Sequence, residues 1–160
     1  DGSFSIIDRK KEIYKLSQGE YVSPIKVENV YSRLPVISQI IVTGYPHESF
    51  SVAIVVPDEV TLRSKINDLK LIDEMDMVSF TDLCKLKGVI DAVQSEMDQH
   101  AIAYKLSGIE KARKIYLESS PFSVENLLLT PTLKLKRRYA LKFYRSHIDE
   151  MYKKKKRVII

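Results

Sequence analysis

Cysteine is nearly absent from these 160 residues: Cys84 stands alone, so no internal disulfide can form and the composition suits a reducing compartment. Its surroundings, Phe80-Thr81-Asp82-Leu83-Cys84, read as a helix face, where a buried apolar cysteine is expected rather than a nucleophile. Glycine occurs only 5 times. There is no Walker-type Gly-x-x-x-x-Gly-Lys, no Gly-x-Ser-x-Gly and no dinucleotide glycine fingerprint, so the chain carries no phosphate-cradling loop of its own. The three histidines, His47, His100 and His147, are far apart, and none stands at metal-ligand spacing with cysteine or carboxylates. No uninterrupted apolar run approaches the roughly 18–20 residues of a membrane span. The start, Asp1-Gly2-Ser3-Phe4, has no signal-peptide pattern and no methionine, and reads as a cut inside a longer protein. Internal repeats and linkers rich in Gly, Ser or Pro are also lacking, so residues 1–160 are expected to form one domain.

What is present suits a folded domain. Apolar residues make up 44% and charged residues 29%, an ordinary globular balance. The net charge of +5 is unevenly spread: residues 134–157 hold 11 of the 26 lysines and arginines, against only Asp149 and Glu150. The rest of the chain is net acidic, so any acidic partner (nucleotide or coenzyme phosphates, an anionic membrane, nucleic acid) is met near the C-terminal end. The run Lys153-Lys154-Lys155-Lys156-Arg157 reads as a flexible, solvated basic tail over 153–160.

Periodicity gives a coarse architecture. Phe4–Ile7 and Ile13–Leu16 are short β-prone runs that predict a hairpin. Ser23-Pro24 starts a helix carrying Ile25, Val27, Val30 and Tyr31 to about Leu34. Val36–Val42 and Phe50–Val56 read as strands around the turn Gly44-Tyr45-Pro46-His47, the second apolar enough to be central in a sheet covered on both faces. Helices are predicted from Asp58 through Leu69, from Ser79 or Thr81 through Leu86, and from Gly88 to Leu106, with Val89, Val93, Met97 and Ile102 among the last one's apolar positions. Lys114–Glu118 alternates as a third sheet strand, Pro121–Leu133 is expected to be irregular, and Arg138–Lys153 a final helix with Tyr139, Phe143, Ile148 and Tyr152 facing in. Together these predict an α+β domain, a small mixed sheet of about three strands flanked by helices, with a hairpin in front.

Three segments can carry chemistry. In Leu129-Thr130-Pro131-Thr132-Leu133-Lys134, a lysine follows a Thr-Pro-Thr corner that keeps the backbone out of a helix, and a basic stretch comes next. Spacing alone makes Lys134 one of several surface lysines, with Lys136 its nearest competitor. Arg9 and Lys11, in Asp8-Arg9-Lys10-Lys11, could be no more than solvated turn charges, and Gly19, in Ser17-Gln18-Gly19-Glu20-Tyr21, no more than a turn glycine.

Taken together, these segments closely resemble the C-terminal domain of the long-chain fatty acyl-CoA synthetases. These belong to the adenylate-forming superfamily, with firefly luciferase and the peptide-synthetase adenylation domains. The family's lysine motif has the form Leu-Thr-Pro-x-Gly-Lys, and Lys134 lies on it, with Leu133 in the place of the usual glycine. The resemblance implies that Lys134 contacts the acyl carboxylate, the α-phosphate region and the ribose during adenylation. Arg9 would reach the nucleotide's ribose and phosphate. Lys11 would be the hinge between the two domains, lysine standing where aspartate is more usual. Gly19 would lie on the loop that admits the pantetheine arm. The implied reaction is fatty acid activation by ATP to acyl-AMP, then acyl transfer to CoA, with Mg²⁺ bound mainly to ATP. The partners implied are the chain's own N-terminal domain, absent here, with peripheral membrane contact through the parent protein. The implied location is the cytoplasm or the cytoplasmic face of a membrane such as the endoplasmic reticulum. This fragment alone is then expected to be inactive and to bind no cofactor. The rival reading is a non-catalytic basic module that binds nucleic acid or an anionic membrane through residues 134–157, where Tyr139, Phe143, Tyr144 and Tyr152 interleave with positive charge.

Overall fold

The run Ser51-Val52-Ala53-Ile54-Val55-Val56-Pro57 forms strand β4 (Ser51–Pro57), and all of its residues are buried. This computed structural model describes residues 12–153. Within them, β4 lies at the centre of a three-stranded sheet, antiparallel to β3 (Ile37–Thr43) and parallel to β5 (Ala112–Leu117). Alternation along β4 serves both sides: Ala53 and Val55 enter one apolar layer, Val52, Ile54 and Val56 the other.

The first layer is closed by α1 (Pro24–Tyr31), α2 (Glu59–Asp68), α3 (Phe80–Leu83) and α4 (Lys87–Ala103), through Val27, Tyr31, Leu62, Ile66, Val93 and Met97. The second is closed by α5 (Arg137–Phe143) and α6 (Arg145–Tyr152), through Ala140, Tyr144, Ile148 and Tyr152. Local chemistry starts several of these helices. Asp58 caps α2 by accepting from the Thr61 N–H at 2.9 Å, and Ser79 caps α3 by accepting from the Asp82 N–H at 3.1 Å. Pro24 takes the first turn of α1, where its missing N–H is harmless.

In front of the sheet, β1 (Tyr14–Lys15) pairs antiparallel with β2 (Tyr21–Val22). The N-terminal hairpin is therefore present, and Ile13–Leu16 supplies one arm. The other described arm is Tyr21–Val22, a strand too short to show alternation, while Phe4–Ile7 lies outside the described residues. The expected α+β architecture, with a small mixed sheet, stands. The basic tail beyond Lys153 lies outside the described residues.

Two helical faces differ from expectation. In α4 the buried series is Val89, Val93, Met97, Ala101, and Ile102 is 65% exposed, because a residue one position further turns about 100° away. The expected final helix breaks at Tyr144, and its inward residues are Ala140, Tyr144, Ile148 and Tyr152. Ile148 and Tyr152 face in as expected, but Tyr139 and Phe143 are 38% and 52% exposed. The two series share a spacing and differ by one residue. The one that contains Tyr144 wins, since its ring packs among Tyr116 and Phe122 while its hydroxyl donates to Glu118 at 3.0 Å.

Candidate functional site

Lys134 stands at the end of a tight hairpin. Leu129 and Leu135 form an antiparallel bridge. Between them, the Thr130 N–H donates to the Lys134 carbonyl at 2.8 Å and the Leu133 N–H to the Thr130 carbonyl at 2.8 Å. The Thr130 hydroxyl accepts from the Lys134 N–H at 3.1 Å, and the Lys136 N–H reaches the Leu128 carbonyl at 2.8 Å. Pro131 fits the first central position of this turn, where its fixed φ helps and its missing N–H is not needed. Leu133 follows with φ +64°, the left-handed residue that completes a three-residue hairpin loop and usually a glycine. The glycine of the resembled motif thus has a backbone cause, and Leu133 adopts the conformation anyway.

The two candidate lysines are separated by their surroundings. The Lys136 ammonium lies 5.5 Å from the centre of the Tyr139 ring, a cation–π contact that draws it back along α5. Lys134 is exposed, and among the described residues its ammonium has no ion-pair partner.

Beneath the hairpin lies a pair that the sequence did not signal. Arg137, the first residue of α5, grips Glu28 of α1 with two hydrogen bonds, Nη1 to Oε2 and Nη2 to Oε1, both 2.8 Å. Glu28 Oε2 also accepts from the Val42 N–H on β3 at 2.8 Å. Both side chains are only 13% exposed. Arg137 Nε is buried without a hydrogen-bond partner and faces Glu12 Oε2 at 3.9 Å. Burial by itself would make the guanidinium easier to deprotonate, but the Glu28 contacts outweigh it and hold Arg137 still more firmly charged. Residues 28 and 137 are too distant in the chain for any spacing rule to connect them.

Gly19 lies at the tip of the front hairpin with φ +82°. A β-carbon there would meet nothing nearer than Lys15 Cε at 4.0 Å, so the backbone conformation, not crowding, demands glycine. The loop is tethered: the Ser17 N–H donates to the Glu48 carbonyl at 3.0 Å and Gln18 Nε2 to the Ser49 carbonyl at 2.9 Å. At its base the Ser51 hydroxyl donates to the Ile109 carbonyl at 2.7 Å, leaving its oxygen to accept from the Tyr14 hydroxyl at 2.6 Å. Lys134 and Gly19 therefore sit on separate hairpins, with no hydrogen bond between the two residues among those described. Arg9 and Lys11 lie outside the described residues. Cys84 is buried, and burial pushes its thiol up to about 11, out of the range of a nucleophile.

No protein-family model matches the chain. It is 44% identical over 157 residues to long chain acyl-CoA synthetase 2 of Arabidopsis thaliana, a match covering 98% of this chain and 23% of that protein. With long-chain-fatty-acid–CoA ligase 1 of Homo sapiens it shares 40% identity over 152 residues, 95% of this chain and 21% of that one. The chain thus spans less than a quarter of the length of the curated relatives it matches. Among solved structures, the adenylation domain of a carboxylate reductase from Mycobacterium chelonae superposes with a TM-score of 0.73 and 29% identity, over 90% of this chain and 20% of that one. The adenylation domain of the Segniliparus rugosus carboxylic acid reductase, in complex with AMP and a co-purified carboxylic acid, gives 0.73 at 27% identity, with the same coverage of 90% and 20%.

Proposed function

From a chain that is a C-terminal domain of the adenylate-forming superfamily, with long-chain acyl-CoA synthetases as its relatives, we propose the lid of a long-chain fatty acid–CoA ligase. In the first half-reaction the fatty acid carboxylate attacks the α-phosphorus of ATP, giving acyl-AMP and pyrophosphate. In the second, the CoA thiol attacks the acyl carbonyl, forming the thioester and expelling AMP.

The observation that carries the reading is the presentation of Lys134, at the end of a hydrogen-bonded hairpin with its ammonium uncommitted among the described residues. Adenylation brings a carboxylate onto a polyphosphate, two anions, and a fixed ammonium at that point screens the charge as it develops. Lys136, turned toward Tyr139, is less suited to the role.

By the same family likeness Arg9 holds the ribose and phosphate, Lys11 is the hinge, and Gly19 borders the pantetheine path, where a backbone without a side chain leaves room. Mg²⁺ arrives with ATP. Among the described residues no three His, Cys, Asp or Glu side chains stand together as a metal site. Among the same residues no helix is long and apolar enough to cross a membrane. The lone cysteine suits a reducing compartment, and the family likeness implies the cytoplasm or the cytoplasmic face of a membrane such as the endoplasmic reticulum.

The test is Lys134→Ala in the full-length enzyme that carries this domain. Acyl-adenylate formation, followed by pyrophosphate release, is expected to slow by on the order of 10²–10³. Thioester formation from supplied acyl-adenylate is expected to fall much less. Equal losses in both half-reactions, or a larger adenylation loss from Lys136→Ala, would overturn the assignment.

A further inference from the structure

We propose that Arg137 is a positioning residue for acyl-adenylate formation: through its two-pronged bridge to Glu28 it fixes where Lys134 stands. The inference rests on the role given to Lys134 above and concerns what holds that lysine in place.

The Lys134 side chain has nothing of its own to lean on among the described residues, so its ammonium goes where the hairpin backbone points. That hairpin is short, closed by the single bridge between Leu129 and Leu135, and is aimed by whatever anchors its base. The base is Lys136-Arg137. The Lys136 N–H is tied to the Leu128 carbonyl, and Arg137 is tied to Glu28. Glu28 is itself immobilised, because the oxygen that receives Arg137 Nη1 also receives the outward N–H of Val42 on the edge strand β3. The bridge therefore joins α1 and β3 to the residue that begins α5, three positions after Lys134. A planar guanidinium with two parallel hydrogen bonds fixes direction as well as distance, which a lysine in its place would not do. Stability is a poor reason for such a pair, since apolar residues of similar volume commonly serve as well in a buried setting.

The experiment uses the full-length enzyme with Arg137→Met and Glu28→Gln combined. This removes the bridge without leaving a buried unpaired carboxylate, and the amide oxygen introduced by Glu28→Gln can still accept from Val42. The expected result is a thermal midpoint near the parent's and thioester formation from supplied acyl-adenylate at the parent's rate. Adenylation kcat falls on the order of 10- to 100-fold, the usual consequence of displacing a reacting group by about an ångström. KM for ATP and fatty acid is expected to change little, because both side chains are buried and turned to each other. Combined with Lys134→Ala, the bridge variant is expected to be no slower in adenylation than Lys134→Ala alone, since the two changes act through one group. Arg137→Lys, which keeps the charge opposite Glu28, serves as the milder variant and is expected to lose part of the same half-reaction only. A well-folded double variant with intact adenylation, equal losses in both half-reactions, or a loss fully additive with Lys134→Ala would each overturn the inference. If Lys134→Ala slows adenylation and the bridge variants do not, this inference alone falls. If Lys134→Ala leaves adenylation intact, the reading beneath it falls as well.

Discussion

Tyr14 occupies the space that a side chain on Gly44 would need: a β-carbon there would fall 2.8 Å from Tyr14 Cε2 and 2.7 Å from Leu16 Cδ2. The front hairpin is thus seated directly on the backbone of the β3–β4 turn. Gly44→Ala is expected to lift Tyr14 and Leu16 out of their places and to lower stability by about 1–3 kcal/mol, the usual range for overpacking. Urea unfolding of the chain measures it, and an unchanged midpoint would show that the hairpin yields freely.

Leu133 gives a prediction of opposite sign. At φ +64° it bears the left-handed penalty of roughly 1–2 kcal/mol, and its side chain is 69% exposed and contributes little packing. Glycine would remove that penalty but add about 0.5–1 kcal/mol of unfolded-state entropy. Leu133→Gly is therefore expected to stabilise the chain by up to about 1 kcal/mol. Leu133→Val, β-branched in the same conformation, is expected to destabilise it. The same unfolding measurement decides, and a clearly destabilised glycine variant would mean that the leucine side chain contributes more packing than its exposure suggests.

Alkaline pH should unfold this chain early. Burial holds the Cys84 thiol protonated up to about 11 against an ordinary 9.0, and the Tyr31 phenol up to about 12 against 10.0. Both folded values are raised, so below pH 9 the stabilisation is fully present. Above it the unfolded chain sheds protons that the folded chain keeps, and stability falls as pH rises. The urea midpoint is expected to decline from about pH 9 to about pH 12, each group adding at most roughly 1.4 kcal/mol per pH unit within its own interval. Tyr31→Phe is expected to flatten the upper part of that decline. A midpoint that stays constant across the interval would contradict the burial of these groups.

Motion gives the fourth prediction. If Lys11 is the hinge, Lys11→Pro fixes φ near −65° and biases Lys10 toward extended torsions, restricting the swing without removing a substrate contact. The full-length variant is expected to form acyl-adenylate at a near-normal rate and to transfer it poorly to CoA. Lys11→Ala, which keeps the torsional freedom, is expected to be far milder. Thermal unfolding of both comes first, because proline can also disturb the adjoining backbone. A well-folded Lys11→Pro that completes both half-reactions normally would remove Lys11 from the hinge.

How far the chain was legible depended on the range of the forces involved. The β4 run announced itself because a strand covered on both faces is apolar at every position. The inward face of α5 and α6 did not. Tyr139 and Phe143 compete with Ala140 and Tyr144 at the same helical spacing, and the choice falls to Glu118 and Phe122, met only in three dimensions. Lys134 was singled out by its motif, and the difference between its surroundings and those of Lys136 lies in the Tyr139 ring. The bridge from Arg137 to Glu28 was invisible, since neither residue carries a local pattern and the contact exists only once α1 and α5 are both in place.

The sheet order also bears on how the chain is made. β3 and β4 can pair as soon as both have left the ribosome, but β5 must wait for all the chain between Pro57 and Ala112. The second apolar layer waits longer, until α6 is complete at Tyr152. Through that interval Val52, Ile54 and Val56 lie bare on a strand rich in β-branched residues and without a charge, the kind of segment that joins its own copies. A chain stopped short of α6 is therefore a candidate for aggregation and for capture by holding chaperones. The residues that complete the fold are also those that immediately follow Lys134, so a chain unable to present that lysine is also one that has not yet closed its core.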